Sequence, residues 1–368
     1  MLLEFMPTEL VTKIYLHCSS VTDVLALSST CHRFRHIYTS SRRLAILEHA
    51  AEAQYGPLED ATQLLTHNAS QPAHLVRSVP FSIALLKQIL EVGRVAEKWC
   101  DMYPFKKWKY NFEDRRLITD EERYRLRRAL YRLWLYNTAF HNATHPRHTR
   151  MSRPVITERA ALLHNWTTVE LAEMADVHAV LREVVHSKIC PSNGTIAHNF
   201  KKRFPDKDAQ QLVFNFNIHL NYPLPAAPAH FTSPFHSSPN ALNSHYHQHM
   251  SPGLADTTNY SNRLYWSKYT ATAFHEPGCE GWGDDVPHYY VVEDMMKLDP
   301  AQILFLKENA PLKGQVQSYT RGLGDWFENN GETWSQTLGW VLGERGEDVE
   351  EVLGGIAEGT LGVAVPDD

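Results

Sequence analysis

Cysteine is scarce in this chain. Cys18, Cys31, Cys100, Cys190 and Cys279 are scattered through 368 residues with no CxxC pair. An odd, widely spaced set excludes a disulfide framework and a zinc ribbon. Long apolar runs are missing as well. None approaches the roughly 20 residues a membrane-crossing helix needs. The opening MLLEFMPTELV has no basic start, apolar run and small-residue cleavage site in succession, so no secretory signal is expected. The expected compartment is therefore cytoplasmic, nuclear or both, without a membrane partner. The Asn-x-Ser/Thr triplets at Asn68, Asn142 and Asn165 are then read as chance. GxSxG, P-loop and HExxH patterns are absent, which removes the commonest hydrolase and nucleotide-binding machinery. No period of solenoid length repeats, and sustained strand-like alternation is missing.

What the chain does have is enough apolar matter to fold. Hydrophobic residues make up 43% and aromatics 11%, too much for wholesale disorder. The net charge of −6 is unevenly spread. From Thr270 onward there are nineteen acidic and five basic residues, a balance of −14, which leaves +8 for the part before it. An acidic end disfavours nucleic acid there and is read chiefly as a solvated surface.

Helical periodicity runs through most of the length. FSIALLKQILEVGRVAEKWCDMY places Ile83, Leu86, Ile89, Leu90 and Val92 near helical spacing. In TDEERYRLRRALYRLWLYNTAF, Thr119 and Glu122 have capping-box spacing, in which each side chain satisfies the other's orphan amide. Leu126, Leu130, Leu133 and Trp134 then form a stripe. Thr167 and Glu170 predict a further helix that stops before Pro191. Asp299 followed by Pro300 predicts another, since a first-turn proline loses no hydrogen bond. The tail reads as short helices broken by glycines. One stretch differs: Asn221 to Gly253 is rich in Pro, Ser, Asn and His and reads as a long exposed loop. The expected fold is mainly α, with regions 1–50, 51–220, a linker at 221–262, and an acidic helical region at 263–368.

The N-terminal stretch MPTELVTKIYLHCSSVTDVLALSSTCHRFRHIY carries the functional argument. Pro7 suits a helix start. Leu10, Ile14 and Cys18 follow at steps of four and share a face, broadened by Val11 and Tyr15. Thr22 is the expected cap of a second helix, with Asp23 favourable beside its positive end. Val24 and Leu27 stand three apart, and Cys31, Phe34 and Tyr38 mark a third helix. Three short helices in so few residues cannot bury all this apolar surface among themselves. The rest of the chain or a partner must cover it, and periodicity does not say which.

The pattern M-P-x-E-L-x(3)-I-x(8)-D-V-L-x-L-x(3)-C-x-R-F resembles the F-box. The match includes Pro7, Glu9, Leu10, Ile14, Asp23, Leu25, Leu27, Cys31, Arg33 and Phe34, with Met6 and Cys18 where the family commonly has leucine. EERYRLRRALYRLWLYNTAF and GWGDDVPHYYVVEDMM further resemble segments of fungal F-box proteins, but carry no transferable site. The resemblance implies a trihelical module that docks a Skp-type adaptor and, through it, cullin and RING subunits. It implies an adaptor-facing set of Met6, Pro7, Leu10, Ile14, Val24, Leu27, Cys31 and Phe34. The implied role is substrate receptor of a ubiquitin ligase of this type, with an unknown target protein, no catalytic residue and no cofactor. Two alternatives stay open: an adaptor-bound protein acting outside the full ligase, and a metal-dependent enzyme.

The remaining constellations are weaker. Arg123, Arg127, Arg128 and Arg132 could meet phosphates. Glu121 and Glu122 precede them, an arrangement that stabilises a helix by itself, so nucleic-acid contact is not expected. His141, His145 and His148 have steps suited to zinc, but Pro146 interrupts them. His245, His247 and His249 fall in the biased loop. Asp284 and Asp285 beside Trp282 and His288 lack an accompanying nucleophile. Trp266, Tyr269, Trp282, Tyr289 and Tyr290 read first as core and second as a recognition surface.

Overall fold

The computed structural model describes residues 6–146, 149–150, 152–191, 202, 292–310 and 313–365, and these are mainly helical, with no strand among them. The biased loop at 221–262 and the constellations at Asp284, Asp285 and the aromatics from Trp266 to Tyr290 lie outside the described residues.

The early part of the chain forms α1 (Thr8–Leu16), α2 (Val21–Thr30), α3 (His32–Tyr38), α4 (Arg43–Tyr55) and α5 (Leu58–Thr66). Three longer helices follow: α6 (Ile83–Lys107), α7 (Asp120–Phe140) and, after α8 (Arg153–Leu163), α9 (Thr168–Val184). A single π turn, Val185–Ile189, extends α9. The last part contributes α10 (Val292–Met295), α11 (Pro300–Asn309), α12 (Lys313–Gly322), α13 (Asp325–Asn329), α14 (Trp334–Glu344) and α15 (Val349–Glu358).

Local signals set most of these starts. Thr119 accepts from the Glu122 amide at 3.2 Å while the Glu122 carboxylate accepts from the Thr119 amide at 2.7 Å. The same reciprocal box closes at Thr167/Glu170 and at Asp299/Gln302. For α2 the expectation is corrected: Ser20 is the cap, its Oγ accepting from the Asp23 amide at 3.0 Å, and Thr22 lies inside the helix. Ser20 also donates to Asp23 at 2.6 Å, which favours the earlier start.

The helix α4 joins the N-terminal unit to the body. It packs against α1, α2 and α3 on one side and against α5 and α6 on the other. The boundary placed at 50/51 therefore falls inside a helix, and one buried cluster runs from Val11 to Ala364. Where α4 meets α6 the contact depends on Gly93. A Cβ there would overlap Cγ and Cδ1 of buried Tyr55, whose carbonyl is held by the Tyr131 hydroxyl at 2.9 Å. Alanine is normally the better helix former by about 1 kcal/mol. Gly93→Ala is nonetheless expected to destabilise by about 1–3 kcal/mol, because overpacking outweighs propensity. Urea unfolding checks this, and a variant as stable as the parent would refute the close-approach account.

At the centre, α7 packs against α5, α6 and α9. Its arginines point to those neighbours. On the α6 side, Arg123 reaches Glu97 at 2.6 Å and Asp101 at 3.0 Å, and Arg127 reaches Glu97 at 2.8 Å and the Gly56 carbonyl at 2.8 Å. On the other side, Arg128 pairs with Glu173 at 2.7 Å, and Arg132 bridges Asp60 at 2.7 Å and Glu170 at 2.8 Å. Arg132 also lies over the Trp166 ring at 5.2 Å. The expected stabilisation by the helix's own Glu121 and Glu122 is thereby refined, since the partners of these four arginines lie on other helices. Their charge is matched by carboxylates of α5, α6 and α9, and only the Arg125–Glu121 pair at 2.6 Å follows helix-internal spacing.

Candidate functional site

The N-terminal unit is built around Tyr15. Its ring meets Phe34 edge-on at 6.5 Å and Tyr38 at 6.2 Å, and its hydroxyl donates to the Phe34 carbonyl at 3.0 Å. Val11, Tyr15 and Val24 are fully buried, and Phe34, Ile37 and Tyr38 nearly so. Burial raises the Tyr15 hydroxyl to about 12, so it remains a donor. The Val21 amide donates to Gln54 of α4 at 3.1 Å, fixing the start of α2 on the body. The Arg33 guanidinium donates to the Met6 carbonyl and holds the segment before α1 against α3.

The expected broad apolar face of α1 is in fact two stripes. Val11 and Tyr15 point inward, while Leu10 is 43% and Ile14 36% exposed. Each pair is spaced by four, and the two pairs are offset by one residue, about 100° around the helix. A helix lying on α3 and α4 can turn only one stripe inward. The other, continued by exposed Pro7, faces outward. The set expected from the resemblance therefore divides three ways. Pro7, Leu10 and Ile14 are surface residues. Met6, Leu27 and Cys31 are half-buried at its edge. Val24 and Phe34 are interior and could act only from beneath a contact. The site set drawn from the sequence omits Leu25, which is nearly half exposed on α2. Its signal was present in the pattern, where Leu25 is one of the matching positions.

Of the histidines at 141, 145 and 148, the two described ones face different partners. His141 is buried, with Nε2 at 3.2 Å from the Thr333 hydroxyl, while His145 faces Asn142 and, at 3.8 Å, Glu158. His148 lies outside the described residues. Burial, reinforced by the Lys297 and Arg159 cations, lowers His141 to about 3. No group of three His, Cys, Asp or Glu side chains suited to a metal occurs among the described residues. No described helix is long and apolar enough to cross a membrane.

Comparison with family models, with curated proteins and with solved structures found no match to this chain.

Proposed function

We propose that this chain is the substrate-holding subunit of a cullin–RING ubiquitin ligase and docks to a Skp-type adaptor through α1–α3. The supporting observation is the outward stripe of α1. Pro7, Leu10 and Ile14, which carry part of the F-box resemblance, are exposed beside the described downstream helices. An internal helical hairpin would have turned that stripe to its own core. On this reading the chain performs no covalent step. It raises the effective concentration of a target's lysines at the charged enzyme, an effect of proximity alone.

The test uses Leu10→Asp with Ile14→Asp. Both side chains are exposed, so the fold should survive and circular dichroism should stay helical. Burying such an anchor contributes about 1.5–3 kcal/mol, so adaptor affinity is expected to fall by more than about tenfold per position. Val24→Asp, in contrast, should unfold the unit. A folded double variant that co-purifies with the adaptor as well as the parent would overturn the proposal. Adaptor recovered without cullin would overturn the ligase role while keeping the adaptor contact.

A further inference from the structure

The connection from α6 to α7 exposes more aromatic surface than any comparable described stretch. Phe105 and Phe112 are well exposed, and Tyr110 and Leu117 are each 82% exposed. Large apolar side chains left in water at this density mark interaction surfaces. The connection also carries its own internal contacts. Arg115 donates to the Trp108 carbonyl at 2.9 Å and lies 4.6 Å from the Phe112 ring and 5.9 Å from the Phe105 ring. Arg116 makes two bonds to Glu122, at 2.6 and 2.5 Å, and covers the Trp108 ring at 5.5 Å. Phe105, Phe112 and Trp108 thus each lie against a guanidinium of the same connection.

A cationic cluster adjoins them. Lys109 lies 4.7 Å over the Tyr110 ring and pairs with Glu183 at 2.9 Å. Lys106 approaches the same carboxylate at 3.9 Å and donates to Ser187 at 2.8 Å. The Lys106 ammonium is lowered by burial, which Glu183 opposes, and further by repulsion from Lys188, Lys109 and Lys307. Lys106 and Lys109 therefore share one glutamate, with the charges of Lys188 and Lys307 also felt at Lys106, so positive charge is in surplus there.

We propose that the α6–α7 connection and this lysine cluster form a docking surface for a short acidic protein segment bearing apolar side chains. Charge complementarity selects the occupant: the lysines attract carboxylates, while Tyr110, Phe112 and Leu117 supply the anchors that dominate interface energetics. A long nucleic-acid strand fits less well. Glu113 and Asp114 sit within the connection, and Asp120 and Glu121 follow at the start of α7, so a polyanion running past the lysines meets like charge, whereas a short segment can keep its carboxylates on the lysines and its apolar side chains beside those acids. Within the proposed ligase this surface would hold the target, a role that rests on the reading above, whereas binding itself does not depend on it.

The experiment pans a displayed library of random dodecapeptides against the full chain. Enriched peptides are expected to be acidic and to contain Phe, Leu or Trp. Affinity of the best synthetic peptide should fall about tenfold in Tyr110→Ser with Phe112→Ser. It should fall comparably in Lys109→Glu with Lys188→Glu, and it should weaken as salt is raised. Adaptor co-purification should be the same for both variants and the parent, so failure here is distinguishable from failure of the ligase reading. Neutral or basic enriched peptides, absence of enrichment, binding indifferent to both variants, or tighter binding of an oligouridine probe would each overturn the proposal.

Discussion

Replacing Asp176 with alanine is expected to remove about 3–5 kcal/mol of stability, the typical cost of orphaning one side of a buried ionic network. Asp176 lies on α9 and is almost wholly buried. It accepts from the Tyr103 hydroxyl at 2.5 Å, from Lys107 at 2.8 Å and from the Val363 amide at 3.0 Å. Lys107 donates onward to the Ile356 carbonyl at 2.8 Å. One carboxylate thus joins the end of α6, the middle of α9 and the segment after α15. Gly362, at φ +109°, lets the backbone pass beside it; an added Cβ would stand 2.6 Å from an Asp176 oxygen. Alanine would leave a phenol, an ammonium and an amide short of an acceptor.

Graded variants separate the parts of that network. Tyr103→Phe removes one bond together with its donor and should cost only about 1 kcal/mol. Asp176→Asn keeps one acceptor oxygen and should fall between the two. Urea unfolding gives the totals. Hydrogen exchange should show the C-terminal amides released first in Asp176→Ala. A loss under about 1 kcal/mol for alanine, or no change in C-terminal exchange, would mean that Asp176 does not hold these elements together.

Mild acid should weaken the fold through two histidines. His141 and His178 are each lowered to about 3, first by burial, and then by neighbouring cations: Lys297 and Arg159 for His141, Arg182 for His178. Each has one buried ring nitrogen without a hydrogen-bond partner, Nδ1 of His141 and Nε2 of His178. Both are therefore neutral in the folded chain. In the unfolded chain a histidine binds a proton near its ordinary value of about 6.5. Between those limits the unfolded state holds more protons, so stability rises with pH. It is at full strength above about 6.5 and is lost as pH falls toward 3. At about pH 5 each histidine should remove about 2 kcal/mol, from a difference of roughly 1.5 pH units. Unfolding free energies at neutral pH and near pH 5 measure the sum. His141→Gln and His178→Phe should each flatten the dependence by about half of the histidine part, which separates it from carboxylate titration. Variants with the parent's full pH slope would show that these rings do not carry the effect.

The two groups differ in how readable they were. His141 attracted notice as a possible metal ligand, because spacing reveals only which face a ring can share. The structure places it beside Tyr136 and Thr333. Asp176 gave no signal at all. One of two acids in LAEMADVHAVL, it looks like a solvated position until α6 and the C-terminal segment close over it. The arginines of α7 are intermediate. Their density was plain, but the partners Asp60, Glu97, Glu170 and Glu173 come from three other helices. Much of the candidate site was legible, since Pro7, Leu10 and Ile14 carry the pattern. Which of the stripes on α1 faces outward was not.

By itself the sequence determined the helical class, the starts at Thr119, Thr167 and Asp299, and the apolar character of the N-terminal unit. These follow from bonds and stripes spanning three or four residues, so spacing along the chain is sufficient. Tertiary structure decided that Val11 and Tyr15 turn inward while Leu10 and Ile14 stay in water, that α7's arginines are matched inside the fold, and that Asp176 secures the C-terminal segment. Each of those outcomes depends on groups tens to hundreds of residues apart, and only packing fixes which of them meet and which remain free for another molecule.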